Sequence, residues 1–232
     1  MKKPTDKILT LGLILEYRDR IHDLQLSTFT HIEDAAAEVL PRYFVSSKMF
    51  EDKDGNKFYA YGQIFLQGLV SLSDRAARSL SKHGGYLSLS GLAAISDRSA
   101  KMLSRHRGTL HLDGLLNLTD SSAQSLSKHK GYLGLSGLTE LPEAVSDALT
   151  THHGVLDLSG LVSLSDAAAK MLSRHRGHLH LHGLNSISDA AADALSLLNG
   201  ELHLRGSISL TDIAINALAK HGKVFGPRLA QK

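Results

Sequence analysis

"HGGYLSLSGLAAISDRSAKMLSRHRGTLHLDGLLNLTDSSAQSLSKHKGYLGLSGL", residues 83–138, says one phrase three times. The leucines and the glycine of L-x-L-x-G hold their places, while the residues between them change. Along the chain the glycine of this phrase falls at Gly68, Gly91, Gly114, Gly137, Gly160, Gly183 and Gly206, always 23 residues apart. A fixed period of this size marks a stack of similar units, each too small to bury its own apolar face.

Within one unit the periodicity changes. Leu87 and Leu89 alternate with Ser88 and Ser90, which is strand spacing with the leucines on the inner side. "ISDRSAKML" follows, with Ser96 as helix N-cap and Asp97 where a negative charge favours the helix dipole. Ile95, Ala100 and Leu103 then turn inward together. Arg105, His106 and Arg107 close the helix, and Gly108 is expected to be its left-handed cap. The capping residue recurs as Ser73, Thr119, Ser165, Ser188 and Thr211. The expected class is α/β: a right-handed solenoid with a parallel β-sheet on one face and short α-helices on the other.

The "LxLxGL" segments, such as Leu133, Leu135 and Leu138 followed by Leu141, resemble the leucine-rich repeat family over about residues 64–222. The family's asparagine after the strand, which ties neighbouring turns together, is here replaced by a Gly-Leu pair such as Gly91-Leu92. The resemblance implies a non-catalytic module that binds a protein partner through its sheet.

Around the repeats the chain divides into five parts. Residues 1–23 form an N-terminal cap, either a strand through Leu9, Leu11, Leu13 and Leu15 or a helix from Asp6. Residues 24–40 are a degenerate first repeat, with Thr28 in the glycine's place and Asp34 at the acidic position. Residues 41–62 insert a β-hairpin turning at Asp54-Gly55 or Asn56. Seven 23-residue repeats occupy 63–223, and 224–232 is a C-terminal tail.

Composition narrows the function. With 232 residues, 42% of them hydrophobic, the chain can bury a sizeable core. It has no cysteine, which excludes a disulfide frame and a thiolate metal site and suits a cytoplasmic life. No apolar run is long enough for a membrane helix. Lys2 and Lys3 ahead of residues 8–15 imitate a secretory leader, but Asp6 and Lys7 interrupt it and no cleavage site follows. Residues 63–232 hold 17 basic and 13 acidic residues and 12 of the 14 histidines, against a net charge of +3 for the whole chain.

Positions that face outward from the sheet vary while the leucines between them do not, so they are the expected partner-binding surface. They include Tyr86, His111, Asp113, Tyr132, Asp157, His178, His180, His182, Glu201, His203 and Arg205. A metal alternative uses Asp157, His180, His182 and His203, since imidazole and carboxylate suit a transition metal. Another uses the edge where Lys82, Arg105, Lys128, Arg174 and Lys220 run beside His83, His106, His129, His152, His175 and His221. Cations there suit the helix C-termini, and a polyanion, nucleic acid among them, is the alternative partner.

The recurring Ser73, Asp74 and His83 do not make a hydrolase triad, because helix start and helix end account for each and no nucleophile-elbow motif is present. "EDKDGN", residues 51–56, lacks the ligand pattern of a calcium loop. No enzyme activity and no cofactor are expected.

Overall fold

A computed structural model describes residues 7–51, 57–205 and 208–226. Alternating leucines build the centre of the fold. β5 (Gln63–Phe65), β6 (Tyr86–Ser88), β7 (Leu110–His111), β8 (Leu133–Gly134), β9 (Leu156–Asp157), β10 (Leu179–Leu181), β11 (Leu202–Leu204) and β12 (Val224–Phe225) lie side by side in chain order, all parallel, as one sheet. Register advances by one repeat per strand, so that Leu87 faces Leu110, Leu110 faces Leu133, and Leu133 faces Leu156. The sheet runs one strand past the seventh repeat, because Val224–Phe225 pairs with β11.

Helices form the opposite layer: α3 (Asp74–Leu80), α4 (Asp97–Leu103), α5 (Asp120–Leu126), α6 (Glu143–Leu149), α7 (Asp166–Leu172), α8 (Asp189–Leu195) and α9 (Asp212–Ala219). Each coil shuts one apolar slice between the layers; Leu87, Leu89, Leu92, Ala100 and Leu103 are all fully buried. The chain is therefore an α/β solenoid of repeats.

Before the sheet, β1 (Ile8–Leu9) pairs with β2 (His31–Ile32), and α1 (Leu11–Glu16) and α2 (Asp34–Val39) cover the first coil. β3 (Val45–Glu51) and β4 (Lys57–Tyr61) are an antiparallel pair. Asp54, Gly55 and Asn56 lie outside the described residues.

Three columns tie coil to coil. The first is at the helix starts. Ser73, Ser96, Thr119, Ser165, Ser188 and Thr211 each accept a hydrogen bond from the backbone N–H three residues on, as helix caps do. Most of these hydroxyls also donate to the aspartate of the preceding coil: Ser73 to Asp34, Ser96 to Asp74, Thr119 to Asp97, Ser188 to Asp166 and Thr211 to Asp189. Hydroxyls from the neighbouring coil hold the Asp74 and Asp97 carboxyls below their ordinary pKa. Pro142 caps α6 and has no hydroxyl, so no such bond reaches Asp120.

The second column is glycine. Gly108 is not a left-handed cap; among the described residues only Gly222 and Gly226 have positive φ. Close approach demands the glycine instead. A Cβ on Gly108 would lie 1.8 Å from the Gly85 carbonyl oxygen of the preceding coil. One on Gly160 would lie 1.8 Å from the Ser136 carbonyl oxygen. Gly160→Ala therefore has to push two coils apart. A loss of about 1–3 kcal/mol is expected, measured as a fall in the urea midpoint; an unchanged midpoint would show the coils to be loosely stacked.

The third column is histidine, and it corrects the sequence reading. His83, His106, His129, His152 and His175 are not exposed cations at an edge but are at most 2% exposed. Their rings stack on one another with centroids 5.8–6.2 Å apart and planes within 24° of parallel. Nε2 donates to a backbone carbonyl, of the preceding coil at His83, His106 and His175 (Gly62, Gly85 and Gly154) and of the same coil at His129 and His152 (Tyr132 and Val155). Burial pushes every one of these imidazoles below its ordinary pKa, His175 to about 4. They are neutral wall residues. The coil of α8 shows what the position wants, because it places the buried Leu198 there.

Candidate docking face

The outward side of the sheet carries its side chains in rows, since register is strict. The middle row reads Phe65, Ser88, His111, Gly134, Asp157, His180, His203 and Phe225. Beside it run Tyr86, Tyr132, His178 and Glu201 on one side and Asp113, His182 and Arg205 on the other.

At the centre, His111 lies between two tyrosines, its ring centroid 4.8 Å from both Tyr86 and Tyr132. Its Nδ1 donates to Asp113 Oδ2 at 2.6 Å. Asp113 also accepts from the Ser90 hydroxyl at 3.3 Å and the Ser136 N–H at 3.2 Å. Gly134 leaves the space for this arrangement, as a Cβ there would meet Asp113 Oδ1 at 2.5 Å. The Tyr132 hydroxyl donates to Asp157 Oδ2 at 2.5 Å, and the Ser159 N–H donates to Asp157 Oδ1 at 2.9 Å.

Electrostatics follow from these bonds. Burial pushes both carboxyls up. At Asp113 the bonds from His111, Ser136 and Ser90 outweigh it, and at Asp157 those from Ser159 and Tyr132 do, so both pKa values end below the ordinary one. Burial, and then Asp157, pushes the Tyr132 hydroxyl far up; burial and Asp113 raise Tyr86. The centre of the face is thus two ionised carboxylates, Asp113 held by an imidazole donor and Asp157 by a neutral tyrosine.

Towards β11 the face becomes imidazole-rich. His180 packs against His203 at 4.4 Å and His182 at 5.4 Å between ring centroids, and His203 stacks on Phe225 at 4.8 Å. Glu201 Oε2 accepts from His203 Nε2 at 3.2 Å, while the Glu201 N–H donates to His178 Nδ1 at 3.2 Å. Burial lowers the pKa of His180, with the neighbouring His203 charge adding to it. His178, His182 and Arg205 are exposed. Among the described residues no three His, Asp or Glu side chains converge in a way that could hold a metal.

Two features escaped sequence reasoning. Val70, Leu116 and Val162, at the same position of alternate coils just past the repeat glycine, are half or more exposed along the rim of the sheet. Their 46-residue spacing was the available signal. A cleft of about 370 Å³ also opens beside Phe65, lined by Ile21, His22, Leu24, Gln25, Leu26, Phe44 and Gln63.

The repeated Ser, Asp and His do not meet as a triad. Ser73 caps α3, Asp74 receives Ser96 and Ser99, and the His83 ring lies in the stacked column. No described helix is long and apolar enough to cross a membrane.

No family model matches the chain, and no curated protein does. Its structure is similar to that of an internalin from Listeria monocytogenes, with a TM-score of 0.44 and 14% identity over 97% of this chain and 72% of that one.

Proposed function

We propose that this chain is a non-catalytic binding module, working in the cytoplasm, that docks a protein partner on the outward face of its sheet. The observation that carries the reading is the row Tyr86–His111–Tyr132–His180–His203, linked ring to ring across the sheet. These side chains are already immobilised by one another and by Asp113, Asp157 and Glu201, so binding would order little that is not ordered beforehand. Tyrosine is the residue type that carries interface energy, through large area at low entropy cost. The leucines beneath supply a rigid scaffold and take no part in contact.

His180→Ala tests the reading. The ring is partly exposed and makes no backbone bond of its own, so the thermal midpoint should stay within a degree or so of wild type. Partner affinity should fall by roughly 5- to 30-fold, the range of a contributing interface side chain. Capture from extracts on immobilised wild type, followed by titration of the captured protein, measures it. Unchanged affinity for His180→Ala, His111→Ala and Tyr132→Ala alike would remove the sheet face as the docking surface.

A further inference from the structure

We infer that the groove between the C-terminal ends of α4 and α5 binds the phosphate backbone of a nucleic-acid duplex. The groove has a volume of about 920 Å³ and is lined by Lys101, Arg105, Arg107, Lys128 and Lys130, with Ser104, Ser121 and Ser125 between them and the buried His106 ring at its floor. Five cations converge there and no carboxylate does. None of the five forms an ion pair with a described residue, whereas Arg98 and Arg174 elsewhere pair with Asp74 and Asp147.

Repetition provides an internal control on whether the fold requires them. Helix C-termini favour a cation, and that benefit is available to every coil alike. Yet the places of Arg105 and Lys128 are taken by Thr151 and Leu197 in the coils of α6 and α8, and those of Arg107 and Lys130 by His153 and Asn199. Lys101 is matched there by Asp147 and Asp193. Helices α6 and α8 have the same seven-residue length without these cations. Stacking explains the histidine column and the capping column; it does not explain this groove.

The chemistry of the lining selects the occupant. Guanidinium, ammonium and hydroxyl groups are the donors that phosphate oxygens take. Single-stranded nucleic acid would need aromatic platforms for its bases, and the only ring here is the buried His106. An acidic peptide would draw on the same cations, and comparison with polyglutamate separates it from a duplex. A duplex presents phosphates outward and asks for cations alone. This surface is at the helix C-terminal edge and so is separate from the sheet face; the two readings stand or fall independently.

Substitutions taken from the chain's own other coils test it: Arg105→Thr, Arg107→Asn, Lys128→Thr and Lys130→Asn together. Binding of a labelled duplex of about 20 base pairs is followed by anisotropy over a salt series. Wild type should lose affinity with a slope of log K on log salt of roughly −4 to −5, about 0.9 per phosphate neutralised. The fourfold variant should keep the wild-type melting temperature, lose about 100-fold or more in affinity at low salt, and flatten to a slope near −1. Arg176→Asn, outside the groove, should change neither. No duplex binding at low salt, a slope indifferent to the four substitutions, or polyglutamate bound as tightly as duplex would each overturn the proposal.

Discussion

Leu135→Asp is expected to abolish the folded state at neutral pH. Leu135 is fully buried in the middle of the stack, between the strand layer and α6. Removing its side chain alone would cost about 2–5 kcal/mol in lost burial and cavity. The carboxylate that replaces it finds no buried Lys or Arg among the described residues, and its desolvation adds several kcal/mol more. The sum reaches the total stability of an ordinary domain, about 5–15 kcal/mol. A solenoid amplifies the damage, because each coil is stabilised by its neighbours and a failed middle coil leaves both halves with an uncovered face. Circular dichroism of Leu135→Asp beside Thr139→Asp, an exposed position four residues on, measures it. The Thr139 variant should melt like wild type. A cooperative transition in the Leu135 variant within a few degrees of wild type would show that the leucines do not line the interior.

The reason the architecture could be read before any coordinates is visible at Leu135. Its role is repeated at Leu89, Leu112, Leu158 and Leu181, and repetition at one period is the strongest message a sequence carries about packing. The capping hydroxyls were legible for the same reason, since Ser96 and its equivalents combine a known local chemistry with the period. Period alone is silent on direction. His106 and Arg105 recur equally well, yet one ring is sealed in the wall between coils and the other side chain is in water. The discriminating clue was a substitution: Leu198 shares the histidine position, and a leucine does not replace an exposed cation without reason. Gly108 was misassigned in the same manner. A glycine after a helix suggests a left-handed cap, but here the close backbone of the preceding coil leaves no room for a Cβ. On the sheet face, alternation could say which residues point outward. The bonding of Asp113 to His111 and of Asp157 to Tyr132 depends on rotamers and on the Gly134 gap, which no spacing rule contains.

The histidine column makes acid the condition to which this fold should be most sensitive, and His175→Leu should reverse sign with pH. Each imidazole of the column is held neutral in the folded chain by burial, with the adjacent histidines of the stack adding to it at His106, His129, His152 and His175. Unfolding returns it to a pKa of about 6.5. Above that value neither state binds the proton and the column contributes no pH dependence. Below it the unfolded chain takes up protons that the folded chain refuses, so stability falls as pH drops from about 6.5 towards the lowered folded values. For His175, held near 4, the loss at about pH 5 is roughly 2 kcal/mol, and four more rings act in the same direction. The aspartates held below their ordinary pKa by hydroxyl and backbone donors give way at lower pH again, below about 4, so the two sets separate. His175→Leu copies Leu198 and removes one titrating ring. At about pH 7.5 it should cost around 1 kcal/mol, because the Gly154 carbonyl loses its donor. At about pH 5 it should be more stable than wild type by around 1 kcal/mol, the difference between those two effects. Urea unfolding at both pH values measures the crossing. Curves that run parallel, with the variant weaker at both, would mean that His175 is protonated inside the fold and that the column is not a neutral wall.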